Sequence, residues 1–259
     1  MSQPGLWTPV AKKAWAGGEW PGLLKKYVKE RDLKKVFTSY HRFFDQLTAF
    51  LAAYSSLSQG VVAQHRGTVQ RYQSGEKIGF GGGPGCVDVA LAFEPKPLMD
   101  LLVSDKWPSS VEFEVHVPEP GKMLEDLPQV PKDYVLAGIG GVVGVILMAQ
   151  FVSYFEEHRN IIETVHGNQP TNWPEVWNFG RIVRNAFAHG GKIDIRNANA
   201  APVTWRTLSY DYSANGRDIM FVDLGVVEVI YLLEEMDTFL PKEYERNKDT
   251  ERLVQRGML

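Results

Sequence analysis

The chain has 259 residues, of which 44% are hydrophobic and 23% are charged, and its formal net charge is −3 at pH 7. This composition is ordinary for a globular protein and excludes a chain that is disordered along most of its length. A single cysteine excludes an intramolecular disulfide and a cysteine-based metal site. The N-terminus has no apolar stretch of signal-peptide length, and we expect a cytoplasmic protein.

Basic residues are concentrated in two segments of this mildly acidic chain. Residues 12–42 hold nine Lys/Arg against three Asp/Glu, and residues 174–206 hold five against two. Such islands of positive charge could bind a polyanion locally. The alternative for the first island is a solvated helix face. We treat residues 1–30 as a separate basic N-terminal segment.

The apolar spacing predicts a first helix over residues 31–58. Its apolar side chains fall on one stripe at intervals of three and four: Leu33, Val36, Phe37, Tyr40, Phe44, Leu47, Leu51 and Tyr54. Residues 66–121 change character, because "CVDVALAFEP" and "SVEFEVHVPEP" alternate apolar with polar residues as strands do. We therefore predict a small β-containing insertion at about 66–121 between helices.

Three further helices are predicted in the second half of the chain. A long one covers residues 132–166. The next opens at Pro174, a residue favoured in a first helical turn, and ends at Gly190 and Gly191. Glycine readily takes the left-handed conformation that a helix C-terminus often needs. A last amphipathic helix covers residues 224–240.

Residues 202–222 are predicted to form a β-hairpin that turns near Asn215-Gly216. Residues 241–259 form a charged tail. With four principal helices and small β insertions, the predicted fold class is mainly α (α+β), and residues 31–240 form one helical domain.

Residues 135–155 contain no charged side chain over 21 positions, which is long enough to cross a bilayer. The segment also carries four glycines, which let membrane helices approach closely. A helix that is apolar all round can equally be the central helix of a soluble bundle or dimer. Since no second such segment exists, we expect no membrane association, and a single span at 135–155 is the minor alternative.

The stretch "RIVRNAFAHGG", residues 181–191, combines residue types that suit phosphodiester cleavage. An imidazole such as that of His189 can transfer a proton near neutral pH. The guanidinium of Arg184 can hold a phosphate through two donors, and Asn185 can orient either group. The alternative is structural, with His189 capping its helix and Arg184 paired with a carboxylate at position 156 or 157.

The segment "RNAFAH" resembles the Arg-x4-6-His signature of the HEPN (higher eukaryote and prokaryote nucleotide-binding) superfamily, in which a polar residue commonly follows the arginine. The resemblance implies a HEPN-like four-helix bundle that forms a homodimer, with two motifs facing one cleft. Many such proteins are metal-independent endoribonucleases of toxin–antitoxin or antiphage defence systems. Carried over, Arg184 would contact the scissile phosphate, His189 would act as acid or base, and Asn185 would position them.

Other residues are predicted to help bind the substrate. Arg181 and Lys192 flank the motif, and His158 and Arg159 in "EEHRN" either line the same cleft or lie on a solvated helix face. The histidines include no HExxH pattern and "GFGGGPG" lacks the lysine of a P-loop, so we expect neither a metal nor another cofactor. The expected partners are RNA, a second copy of the chain, and an antitoxin or defence protein. The alternative function is a non-catalytic HEPN-like module that dimerises and binds a nucleotide or a partner.

Overall fold

A computed structural model of the chain describes residues 33–66, 74–75, 77–80, 89–99, 107–116 and 137–241. Its strands are β1 (Leu33–Thr38), β2 (Ile78–Phe80), β3 (Ala90–Phe93), β4 (Ser110–His116), β5 (Val203–Trp205) and β6 (Leu208–Tyr210). Its long helices are α1 (Phe44–Arg66), α2 (Ala137–His166), α3 (Glu175–Ala188) and α4 (Val226–Asp237). The predicted N-terminal segment 1–30 and residues 242–259 of the predicted tail lie outside the described residues.

The first four strands form one antiparallel sheet in the order β1-β4-β3-β2. Val36 of β1 lies opposite Glu112 of β4, and Phe93 of β3 lies opposite Phe113 of β4. Phe93 and Phe113 are both buried, and their ring centroids are 5.7 Å apart. One face of the sheet therefore points into a hydrophobic core.

The sheet and the helices share that core. The ring of Phe37 in β1 lies 5.2 Å from that of Phe43, directly before α1, measured between centroids. Phe43 in turn lies 6.3 Å from Tyr154 in the middle of α2. The buried cluster continues through α3 and α4. Burial of apolar side chains from both layers supplies the main driving force for folding.

The predicted four-helix bundle is wrong. The fold is an α+β mixture in which a four-stranded sheet forms part of the core together with the helices. The segment 66–121, predicted as an insertion between helices, supplies β2, β3 and β4. Since β1 pairs with β4, this segment forms most of the main sheet and is not an insertion at the surface of a helical bundle.

The helix predicted over residues 31–58 is correct only from Phe44 onward. Residues Leu33–Thr38 form β1 at the edge of the sheet. Phe37 is buried whereas its neighbour Val36 is exposed, which is the period of two that a strand produces. The apolar residues of this short segment also fit a helical spacing, and only pairing with β4 separates the two interpretations.

The remaining helices and the strands at 90–93 and 110–116 confirm the sequence prediction. α2 lies within the predicted range 132–166, of which residues 132–136 are outside the described part. α3 begins directly after Pro174, and α4 covers most of the predicted helix 224–240. The long amphipathic or uniformly apolar segments were therefore the most predictable ones.

The predicted β-hairpin exists, but its turn lies elsewhere. β5 and β6 pair with Trp205 opposite Leu208, so the turn consists of Arg206 and Thr207. Arg206 has a φ of 53°, the left-handed conformation that two-residue hairpin turns require. The residue types of this turn do not predict a left-handed conformation, because arginine rarely adopts it.

Asn215 and Gly216, where the turn was predicted, bring the chain back against the segment that follows α3. The backbone N–H of Gly216 donates to the carbonyl of Ile193 at 2.9 Å. The side-chain amide of Asn215 donates to the carbonyl of Ile195 at 2.9 Å. These contacts hold residues 191–195 in place directly after the motif helix.

The first two thirds of α2 are apolar but are not buried on all sides. Gly144 packs against the ring of Phe221, and a Cβ at position 144 would lie 2.7 Å from that ring. Val142 and Val145 are 50% and 61% exposed. Residues 135–155 are therefore not the central helix of a bundle within one chain, because the side with Val142 and Val145 is exposed. No helix in the described part of the chain combines the length and the hydropathy needed to cross a membrane.

Candidate functional site

α3 is amphipathic, and its polar stripe carries three of the predicted site residues. Asn178, Arg181, Arg184 and Asn185 are all partly exposed. Their spacing of three and four residues places them along one side of the helix. The opposite face is buried and consists mainly of Val176, Trp177, Phe179, Ile182, Val183, Ala186 and Phe187.

The two glycines fix the end of α3 and the position of His189. Gly190 and Gly191 have φ values of 87° and 83°. The backbone N–H of Gly191 donates to the carbonyl of Ala186 at 2.7 Å, which closes the last turn in the usual left-handed manner. His189 is the C-cap residue and its side chain is exposed. Within the described residues no hydrogen bond or ion pair engages its imidazole, so the ring is accessible to a ligand.

The guanidinium of Arg184 contacts Glu156 of α2 and the adjacent residue Asn185. Its Nε forms an ion pair with the carboxylate of Glu156, although the two groups are not aligned for a hydrogen bond. Its Nη1 donates to Oδ1 of Asn185 at 3.1 Å. The other acid proposed as a partner, Glu157, accepts a hydrogen bond from Gln46 at 3.2 Å. The side chains of Arg184 and Glu156 are 26% and 40% exposed, and such a pair contributes only about 0–1 kcal/mol. The guanidinium can therefore exchange this carboxylate for a phosphate at small cost.

Arg184 and His189 do not converge within one chain. Five residues along an α-helix correspond to a rise of about 7.5 Å and a rotation of about 140°. Arg184 is turned towards α2, whereas His189 stands at the exposed end of the helix. One chain therefore presents the two groups at separate points of its surface.

Arg181 lies one turn before Arg184 and is held by an amide. Its Nε donates to Oδ1 of Asn178 at 3.1 Å. Burial lowers the pKa of Arg181, because desolvation disfavours the charged guanidinium. An arginine nonetheless stays protonated at neutral pH. This side chain thus keeps a full positive charge in a partly buried position.

Lys192 and Arg159 both lie at the surface and both have acidic partners. The ammonium of Lys192 donates to the carboxylate of Asp218 at 2.9 Å. The Nε of Arg159 donates to the carboxylate of Glu163, one turn further along α2, at 2.7 Å. Exposed pairs of this kind are easily opened, so both cations stay available to a polyanion.

His158 does not share this surface. Its side chain is fully buried, and its Nδ1 lies 2.8 Å from the carbonyl of Tyr154. Since a carbonyl oxygen only accepts, Nδ1 carries the proton and donates it. The structure therefore places His158 out of reach of a ligand at the polar stripe of α3.

The chain matches no protein-family model, no curated protein and no solved structure. The functional interpretation therefore depends on the residues of α3 and on the side chains around them. In the part of the chain that the structure describes, no group of three or more His, Cys, Asp or Glu side chains is arranged to hold a metal ion.

Two residues of the site were not identified from the sequence. Asn178 was not singled out, although its position three residues before Arg181 was a usable signal. The sequence alone does not distinguish Glu156 from Glu157 as the partner of Arg184. Choosing it requires the packing of α2 on α3, which the contact between the rings of Phe151 and Phe187, 5.5 Å apart, now provides.

Proposed function

We propose that the chain is a metal-independent endoribonuclease of HEPN type whose catalytic groups stand on α3. One observation supports the proposal. The helix α3 carries the guanidinium of Arg184, which is hydrogen-bonded to Asn185, and it ends at His189, whose imidazole is exposed. The proposal depends on Arg184 and His189 and not on the bundle that the resemblance implied. The setting we propose is a toxin–antitoxin or antiphage defence system, with an antitoxin or defence protein as partner.

The proposed chemistry is transesterification within the RNA strand. One imidazole takes the proton of a 2′-hydroxyl, whose oxygen attacks the adjacent phosphorus, while the bond from phosphorus to the 5′-oxygen breaks. The leaving 5′-oxygen takes up the proton that the imidazole has accepted, and the products are a 2′,3′-cyclic phosphate and a 5′-hydroxyl. Arg184 stabilises the charge that accumulates on the phosphate oxygens in the transition state. Asn185 holds its guanidinium through a neutral amide, so the full charge of Arg184 acts on the phosphate once the phosphate has displaced Glu156.

We further propose that two subunits complete each site, with Arg184 of one beside His189 of the other. The separation of the two residues on one helix supports this arrangement. α2 and α3 run antiparallel, because position 156 meets 184 while 151 meets 187. The exposed Val142 and Val145 of α2 therefore lie towards the same end as His189. Exposed apolar side chains at the end of the molecule that carries His189 suit a symmetric interface between identical chains.

Cleavage of single-stranded RNA by the purified chain in excess EDTA tests this function. We expect fragments that end in 2′,3′-cyclic phosphate and begin with a 5′-hydroxyl, because the nucleophile is the 2′-hydroxyl of the RNA. Cleavage is expected to persist in EDTA, because the catalytic groups are protein side chains. The ends are read by their resistance to phosphatase and by labelling with polynucleotide kinase. A folded dimer that leaves the RNA intact would contradict the proposal.

The second candidate function is a non-catalytic HEPN-like module that binds a nucleotide or a partner. The ion pair between Arg184 and Glu156 favours it, because the guanidinium has a counter-ion of its own in the absence of RNA. This candidate predicts that a nucleotide raises the melting temperature without being turned over. Thermal shift in the presence of nucleotides, run beside the cleavage assay, separates the two functions.

A further inference from the structure

Arg181 differs from the other basic residues of the segment 174–206. Four of the five cations in that segment pair with carboxylates: Arg184 with Glu156, Lys192 with Asp218, Arg196 with Asp194 and Arg206 with Glu235. Among the described residues, no carboxylate lies within ion-pair distance of Arg181. Its Nε donates instead to the neutral amide of Asn178. The net positive charge of this surface is therefore concentrated at Arg181.

The position of Arg181 makes that charge costly for the folded chain alone. The side chain is partly buried on the polar stripe of α3. A charged group that loses hydration without gaining a counter-ion is destabilising. The amide of Asn178 orients the guanidinium but cancels none of its charge. An anionic ligand at this point would complete the site.

We propose that Arg181 holds a phosphate of the RNA strand adjacent to the scissile one. This inference rests on the proposed function, and it names the chemistry by which the site first captures its substrate. Three residues separate Arg181 from Arg184, a rise of about 4.5 Å along one side of the helix. An RNA strand lying along α3 then contacts Arg181 first, and its next phosphate displaces Glu156 from Arg184.

Binding of a single-stranded RNA whose 2′-hydroxyls are replaced by hydrogen tests the proposal, because such a strand cannot be cleaved. Fluorescence anisotropy between 50 and 300 mM KCl gives the affinity and its salt dependence. We expect Arg181→Gln to weaken binding by about 10-fold at the lowest salt and to reduce the slope of log K against log salt by about 0.7. Arg181→Lys keeps the charge and is expected to keep the slope.

Arg196→Gln is the matched control, because it removes the same charge from the same segment at an exposed side chain. We expect it to change the affinity by less than about 2-fold. The melting temperature of Arg181→Gln is expected to stay at or above that of the wild type, since the substitution removes a partly buried charge. A purely structural role for Arg181 would lower it.

Equal losses of affinity in Arg181→Gln and Arg196→Gln would overturn the inference. So would an Arg181-dependent thermal shift with inorganic phosphate in a chain that does not bind the oligonucleotide, because the ligand would then be a free phosphate. The binding assay does not require cleavage, so the phosphate site and the proposed enzyme can fail separately. Arg181-dependent binding without RNA cleavage contradicts the proposed enzyme and supports the phosphate site, and cleavage with unchanged binding in Arg181→Gln does the reverse.

Discussion

Replacing His189 with alanine is expected to slow RNA cleavage by about 10³-fold, the usual contribution of a positioned acid or base. The side chain is exposed at the end of α3 and, within the described residues, makes no hydrogen bond or ion pair. The melting temperature is therefore expected to stay the same. Single-turnover cleavage of a labelled RNA in EDTA measures the loss, and thermal unfolding checks the fold.

His166→Ala is the matched control for this experiment. His166 occupies the last turn of α2 and is also partly accessible, but it lies outside the polar stripe of α3. We expect its cleavage rate to equal that of the wild type. A folded His189→Ala variant that cleaves within about 10-fold of the wild type would exclude His189 as the acid or base.

Replacing Trp177 with alanine is expected to lower the free energy of unfolding by about 3–5 kcal/mol. The side chain is fully buried on the face of α3 opposite the site. Its ring centroid lies 5.4 Å from that of Phe155 and 6.2 Å from that of Tyr154, both on α2. Its Nε1 donates to the carbonyl of Met236 at the end of α4, at 2.8 Å. One side chain thus joins three helices.

Trp177→Phe separates the two contributions of this residue. Phenylalanine keeps most of the ring packing but removes the hydrogen bond from the indole. The carbonyl of Met236 still accepts from the backbone N–H of Phe239 at 3.2 Å, so the expected cost is about 0.5–1.5 kcal/mol. Urea unfolding followed by circular dichroism gives both free energies. A loss below about 1 kcal/mol in Trp177→Ala would contradict the view that this residue sets the position of α3 in the core.

The sequence predicted the motif helix well because its signals are local. Pro174 opens α3, a period of 3.6 marks its buried face, and Gly190 and Gly191 end it with positive φ values. The side chains of Arg184, Asn185 and His189 could be placed on that helix without knowing what surrounds it. The strands β3 and β4 were likewise visible from their alternation.

The other features of the fold and of the site depend on contacts between distant parts of the chain, which the sequence alone does not show. The six residues Leu33–Thr38 satisfy a helical spacing until pairing with β4 selects a strand. The turn at Arg206 requires a conformation that its residue type does not favour. Whether Glu156 or Glu157 meets Arg184 depends on how α2 rotates against α3. The four-helix bundle failed for the same reason, because a short motif describes one helix and not its neighbours.

A mixture of Arg184→Ala and His189→Ala subunits tests most directly whether two chains complete one ribonuclease site. Each variant alone is expected to be inactive in EDTA. Refolding them together at equal amounts is expected to restore about a quarter of the wild-type rate, because half of the random dimers are mixed and each mixed dimer has one intact site. Adding Val145→Glu to both subunits is expected to remove the recovery by breaking the interface. A mixture that forms mixed dimers and stays inactive, while the wild type cleaves, would contradict the shared site.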